Sequence, residues 1–264
     1  MYEFTYHRAT SLADAKAKLG QGDDPTLMAG GMTLIPTLKQ RLAMPSDVID
    51  LGGIADLSGI RMDGDTLVIG AMTKHDSVAS SDVVKAFCPA LAELAGLIGD
   101  PMVRNRGTIG GSVANNDPAA DYPSAVLGLG ATVVTDSREI AADVFFTGMF
   151  ETALEEGEII REFRFPKPKR AAYSKFPNPA SRYAIVGVFA AEAADGIRVA
   201  VTGAAPCVFR HGGMEAALAG NFSAKALDGI KGDAAVMNSD IHASAEYRAH
   251  LVGVMARRAV ASIA

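Results

Sequence analysis

Tryptophan is absent from the 264-residue chain, and only two cysteines occur, Cys88 and Cys207. They lie far apart, in neither a metal-ligand nor a redox spacing, so a disulfide framework is excluded and a reducing compartment fits. The five histidines (His7, His75, His211, His242 and His250) form no H-x-x-x-H pair. No pattern ligates a structural zinc or an iron–sulfur cluster. Basic runs are equally scarce. The net charge is −5, and the short cluster Lys167, Lys169, Arg170 is interrupted by Pro168. Nucleic acid is therefore not an expected partner, and the cluster reads as a solvated linker. The longest apolar run, YAIVGVFAA, falls well short of the roughly 20 residues of a membrane span. The opening MYEFTYHRATSLADAKAKLG lacks the apolar centre of a signal peptide. A soluble, cytoplasmic protein is expected. G-x-x-x-x-G-K-[ST] and G-x-G-x-x-G are both missing, which removes the P-loop and Rossmann solutions to nucleotide binding.

What is present is a globular composition, 49% hydrophobic and 21% charged, long enough for one large domain or two ordinary ones. TSLADAKAKL (10–19) predicts a short helix with Thr10 or Ser11 as N-cap, and PTLMAG a brief strand. Thr33 is expected to cap a helix from Leu34, with Pro36 in its first turn and Pro45 closing it. DVIDLGGI and DTLVIGAMT alternate as strands do. DVVKAFCPALAELAGLIG reads as helix broken at Pro89. YPSAVLGLG predicts a helix, ATVVTD a strand, and EIIREFRFP a strand ending at Pro166. PKPKRAAYSKFPNPASR then reads as a proline-rich, basic connection whose start marks a domain boundary. Beyond it, YAIVGVFAAEAA and IRVAVTGAA predict adjacent strands, and SAEYRAHLVGVMARRAVASI a closing helix with Tyr247, Leu251, Val254 and Met255 on one face. Strands followed by helices suggest an α+β second domain.

Four glycine doublets occur, at 30–31, 52–53, 110–111 and 212–213. About three are expected from composition alone, so a doublet by itself is an ordinary tight turn. Two have a context that changes this. Gly30-Gly31 lies between a predicted strand and a predicted helix start. Glycine lets backbone amides approach an anion without a Cβ in the way, and a helix N-terminus adds donors. GTIGGSVANND repeats the arrangement with Thr108 and Ser112 hydroxyls. A diphosphate held between the amides of the two loops is the expectation. Several neighbours carry two readings. Arg104 and Arg106 either contact phosphate or stay solvated. Asp117 and Asp121 serve as bases, or cap helices and accept backbone bonds. Tyr183 stacks on a ring or packs beside a strand. His75 and His250 read as surface residues. Lys175 is a further candidate for orienting a cofactor carbonyl.

AGGMTLIPTLKQRL, IDLGGIADLSGI, IGDPMVRNRGTIGGSVANNDPAADYP, FFTGMFETAL and SDIHASAEYRAHLVGVMARRAV, taken in this order, resemble the FAD-binding medium subunit of the molybdenum hydroxylases, and in particular the carbon monoxide dehydrogenase type. The resemblance runs over nearly the whole chain and is most specific in VRNRGTIGGS. It implies an α+β fold: an FAD-binding domain of the vanillyl-alcohol-oxidase (PCMH) type over residues 1–166, built of two α+β subdomains (about 1–52 and 53–166), then a smaller α+β C-terminal domain over 171–264. It also implies cofactor-binding positions. Ala29, Gly30, Gly31, Met32, Thr33 and Leu34 match the first FAD loop. Thr108, Ile109, Gly110, Gly111 and Ser112 match the second. Asp121 matches an acidic position close to FAD, and Tyr183 a region near the isoalloxazine ring. Thr33 stands where serine is common, Ser112 where asparagine or serine is seen, and Met32 in a variable slot.

The function implied is an oxidoreductase subunit whose FAD takes electrons from iron–sulfur clusters and gives them to an external acceptor: quinone, NAD or oxygen. With no cluster or molybdenum ligands in this chain, the resemblance puts [2Fe-2S] clusters on a small iron–sulfur subunit and molybdopterin on a large molybdenum subunit, in a dimer of heterotrimers. No catalytic or metal-ligating residue is assigned here. Two alternatives stand beside it: a self-sufficient FAD-dependent oxidoreductase acting directly on a small organic substrate, and a non-enzymatic anion-binding module.

Overall fold

The structure is a computed structural model that describes residues 1–263. It opens with β1 (Thr5–Arg8), α1 (Leu12–Leu19), β2 (Pro25–Met28), α2 (Leu34–Lys39) and β3 (Asp47–Asp50). The three strands form a parallel sheet in the order β1-β3-β2, with Thr5 and Pro25 both in register with Asp47. Ser11, one of the two expected caps, accepts the Asp14 amide and starts α1. Its small core gathers Ala9, Ala15, Ile49, Leu51, Ile54, Leu57 and Ile159.

A five-stranded antiparallel sheet follows, in the order β4 (Ile60–Asp63), β5 (Thr66–Gly70), β10 (Ile160–Pro166), β6 (Thr132–Thr135), β7 (Glu139–Ala141). The central strand arrives last in sequence, so the sheet is completed only when the chain returns after residue 159. Between β5 and β6 run six helices: α3 (His75–Ser80), α4 (Asp82–Phe87), α5 (Pro89–Gly96), α6 (Pro101–Arg104), α7 (Ile109–Asn115) and α8 (Tyr122–Gly128). The break at Pro89 falls where expected, because proline opens α5 without a missing donor being felt. The short helix α9 (Ala142–Phe145) and the hairpin β8 (Phe146–Gly148)–β9 (Glu151–Thr152) lead into β10.

The segment expected as a proline-rich connection is largely a strand. β11 (Arg170–Pro177) pairs along its length with β12 (Ala184–Ala193), which pairs with β13 (Gly196–Thr202) and then β14 (Phe209–Arg210). The Lys169 and Arg170 side chains, expected to be solvated, reach Glu192 across the strands. α10 (Gly212–Gly220) and α11 (Ala245–Ala261) cover this sheet. Leu251 and Met255 of α11 are buried there, Val254 is half-buried, and Tyr247 faces outward at 43% exposure, so the expected four-residue face is narrower than the spacing suggested. The other sheet face joins the first region's core: Tyr173, Phe189, Ala191, Ala200 and Val208 pack with Leu91, Ala125 and Phe163. Among the described residues no helix is long and apolar enough to cross a membrane.

Candidate functional site

The first glycine loop leaves the C-terminal end of β2 and enters α2. The second leaves α6 and enters α7. They lie against each other. A Cβ on Gly30 would stand 2.1 Å from the Arg106 carbonyl oxygen and 2.8 Å from the Gly107 Cα, and one on Gly111 would stand 3.1 Å from the Ala29 Cβ. A side chain at Gly30 would therefore separate the loops. Gly31 has φ +75°, a left-handed conformation that residues with a Cβ adopt at a cost.

Where the loops meet, they open into a cavity of about 610 Å³, within the ~300–1,000 Å³ range of cofactor sites. Twelve of the thirteen cofactor-binding positions expected from the sequence line it: Ala29, Gly30, Gly31, Met32, Thr33, Leu34, Thr108, Gly110, Gly111, Ser112, Asp121 and Tyr183. Ile109 does not. Its side chain is fully buried in the core beside Leu91 and Val113.

The two loops do different work. In the first, the N–H groups of Ala29, Gly30, Gly31, Met32 and Thr33 make no hydrogen bond among the described residues. Successive free amides of this kind form a concavity suited to anions. The Thr33 hydroxyl, expected to cap α2, makes no cap bond, so it too is free. In the second loop the amides from Ile109 to Ser112 are already engaged, and that of Thr108 makes no hydrogen bond among the described residues. Ile109 donates to the Thr73 carbonyl at 3.1 Å and Gly110 to the Ala71 carbonyl at 2.8 Å. Gly111 donates to the Thr108 hydroxyl at 3.1 Å, and Ser112 to the Thr108 carbonyl at 3.1 Å. The expectation of a symmetric clamp of amides is corrected here. Gly110 packs the second loop tightly onto the residue after β5, since a Cβ on it would stand 2.6 Å from both the Ala71 carbonyl oxygen and its Cβ.

Asp121, also in the lining, belongs to a buried charge cluster. Asp121 is 4% exposed. It accepts from the Tyr173 hydroxyl at 2.5 Å and the Lys175 ammonium at 2.9 Å. Burial pushes its carboxyl above the ordinary range, and the Lys175 charge and the Tyr173 hydroxyl oppose that. Asp121 precedes α8 without capping it, contrary to one sequence reading. Lys175 also donates to the Leu97 carbonyl and is itself buried, so it is committed to Asp121 and does not line the cavity. Asp117 accepts the Ala119 amide, and burial raises its carboxyl. Tyr183 stands just ahead of β12, 46% exposed at the mouth. Arg104 donates to the Ile98 and Gly99 carbonyls, and Arg106 is exposed outside the lining.

Sequence reasoning missed three further walls of the site. Leu27 and Met28 come from β2 and Leu51 from the turn just past β3, Met72 from the turn after β5 and His75 from the start of α3, and Leu154, Glu158 and Ile159 from the approach to β10. His75, expected at the surface, is 4% exposed. These residues belong to no local motif, and only the tertiary return of the chain brings them together. His250 is exposed, as expected.

A cradle of free amides, a seam that side chains would close and a largely apolar cavity fit a dinucleotide with a charged diphosphate. Residues 2–168 match the family described as the FAD binding domain in molybdopterin dehydrogenase, and residues 171–263 the CO dehydrogenase flavoprotein C-terminal domain. The chain belongs to the FAD-binding subunits of the molybdopterin dehydrogenases. It is 38% identical to the carbon monoxide dehydrogenase medium chain of Hydrogenophaga pseudoflava, over 97% of this chain and 96% of that one. It is 34% identical to the nicotine 6-hydroxylase medium subunit of Paenarthrobacter nicotinovorans, over 97% and 95%. The fold superposes on the solved carbon monoxide dehydrogenase of H. pseudoflava with a TM-score of 0.89, covering 98% and 96% of the two chains at 38% identity. For quinoline 2-oxidoreductase from Pseudomonas putida 86 the TM-score is 0.85 at 27% identity, over 99% and 96%. The chain is thus an FAD-binding oxidoreductase subunit, and its homologues are medium subunits of multi-subunit enzymes.

Proposed function

We propose that this chain holds FAD along the cavity and relays electrons from iron–sulfur clusters of a small partner subunit, fed by a large molybdopterin subunit, to an external acceptor. The observation that carries the reading is the run of five free amides, Ala29 to Thr33, in the lining of a cavity that Asp121, held from behind by Lys175 and Tyr173, also lines. When bound, FAD supplies redox chemistry able to connect one-electron and two-electron partners. The chain's own residues do the holding. The first-loop amides and the Thr33 hydroxyl take the diphosphate. Gly110, Gly111 and Ser112 allow close approach from the second loop. Asp121, fixed by Lys175 and Tyr173, presents a buried carboxyl near the flavin end, and Tyr183 flanks the mouth. A second cavity of about 460 Å³ shares Asp117, Ser181 and Tyr183 with the first, which supports approach of the acceptor (quinone, NAD or oxygen) from that side.

The same reading divides the chain at 166/171 into a PCMH-type FAD domain, with subdomains meeting near 52/53, and a C-terminal domain. It assembles the enzyme as a dimer of heterotrimers in the cytoplasm. The free thiols of Cys88 and Cys207 support a reducing compartment. The test is to purify the chain alone and with its partner subunits. The chain alone is expected to take up FAD in a 1:1 ratio, and the flavin to be reduced by an oxidisable substrate only in the assembled complex. Failure to take up FAD sinks the proposal, as does flavin reduction by organic substrates in the isolated chain.

A further inference from the structure

His75 opens α3 at the point where the two glycine loops meet. It is 4% exposed, and neither ring nitrogen has a hydrogen-bond partner among the described residues. Nδ1 is wholly enclosed. Nε2 lies on the cavity side, over Gly107: a Cβ there would stand 2.5 Å from Nε2 and 2.8 Å from Cδ2. Gly107 lines the cavity and touches Gly30 from the other side. Thus one glycine separates the imidazole from the loop of free amides. The ring is also fixed. The His75 amide donates to the Gly107 carbonyl at 3.0 Å, and the ring leans on Tyr122 at 5.3 Å between centroids.

We infer that His75 is a cofactor-holding residue, its Nε2 donating a hydrogen bond to an oxygen of the phosphate-bearing chain of FAD. The inference rests on the FAD reading of the cavity and adds a residue to it. Nδ1 stays an unpaired enclosed acceptor with or without a ligand, whereas Nε2, outside that enclosure and beside the cavity-lining Gly107, is the nitrogen a ligand oxygen can meet. Burial first, and then the charge of Arg104, hold the imidazole down to about 4, so it is neutral at pH 7 and carries one proton. An orphaned buried N–H is rarer than an under-satisfied acceptor. That places the proton on Nε2, the nitrogen beside the cavity. The competing role is packing alone, with the ring serving only to fill space against Tyr122.

Position-specific replacement separates the two roles. In His75→Gln the amide nitrogen reaches about as far as Nε2, and in His75→Asn about as far as Nδ1. His75→Phe keeps the ring and loses both nitrogens. The full-length chain, stripped of flavin, is titrated with FAD by quenching of flavin fluorescence, and the thermal unfolding of each flavin-free variant is recorded alongside. His75→Phe and His75→Asn are expected to bind FAD about tenfold more weakly than the parent, the loss of one hydrogen bond to a charged or polar oxygen, with His75→Gln within about threefold. FAD affinity unchanged in His75→Phe overturns the inference, as does equal weakening in Gln and Asn. Should His75→Phe fail to fold, the Gln–Asn comparison decides. If the parent chain itself takes up no FAD, the site reading falls first, a result distinct from any difference among variants.

Discussion

Glu158 gives the clearest case of a single side chain set by its surroundings. Its carboxylate is 3% exposed and accepts from Arg138 Nε at 3.0 Å, Thr135 Oγ1 at 2.6 Å, Ser137 Oγ at 3.0 Å and the Glu155 amide at 2.8 Å. The Arg138 guanidinium above all holds it down to about 2 from an ordinary 4.5. A carboxyl depressed on folding stabilises the fold above its ordinary range, and that contribution is lost as pH falls from about 5 towards 2. Arg138 is 40% exposed. Screening therefore reduces the contribution to about 1–2 kcal/mol, below the roughly 3 kcal/mol of the full displacement. Glu158→Gln is expected to flatten the acid limb of the stability curve by about that amount, measured by urea unfolding between pH 5 and 2.5. An unchanged acid limb would refute the assignment. Nothing in EEGEII distinguished Glu158 from its acidic neighbours. The same holds for His75, a lone histidine with no motif around it. The glycines and Asp121 were legible because their family pattern is local in sequence.

At the scale of elements, the contrast lies between the two threonines that introduce helices. Thr33 was expected to cap its helix and does not, whereas Thr108, read only as a hydroxyl of the second loop, caps α7 through the Gly111 amide. Thr33 has helical dihedrals itself, φ −100° and ψ −50°, so its hydroxyl cannot turn back on the first turn. Two opposite effects follow. Thr108→Ala is expected to cost about 1 kcal/mol of flavin-free stability. Thr33→Ala should stay within about 0.5 kcal/mol in the same measurement yet weaken FAD binding severalfold. If Thr33→Ala instead destabilises the empty chain and leaves FAD affinity intact, the division of labour between the loops is wrong. Helix breaks and strand ends at proline were readable: Pro89 opens α5 and Pro166 ends β10. β11 was not, because its burial does not alternate, with Ala172 and Tyr173 buried in succession and Ser174 to Phe176 half-buried, and because it is flanked by prolines and basic residues whose partner, Glu192, is contributed by β12.

Over the whole molecule, the interdependence of the two regions was not legible in the sequence, since it depends on which side of the second sheet is buried. That sheet sends Tyr173, Phe189 and Ala200 into the first region's core. It also closes backbone bonds from Ala184 to the Ala119 carbonyl and from Gly203 to the Pro118 carbonyl. The partners that fix Asp121 therefore lie beyond residue 170, while the amide cradle lies before residue 34. On the proposed reading, FAD binding draws on both. A fragment ending at residue 169 would expose the apolar surface that Phe189 covers and leave Asp121 buried or solvated without its ammonium. It is expected to bind FAD at least about tenfold more weakly than the full chain, in line with the loss of a paired buried charge. The full chain should unfold in one transition whose midpoint rises with FAD, gaining about 2.7 kcal/mol at a free concentration 100 times Kd. Calorimetry decides the point. Two separable transitions, with FAD shifting only one, would mean the second sheet merely adjoins the site, and the cluster around Asp121 would then have to be held in place from the first region alone.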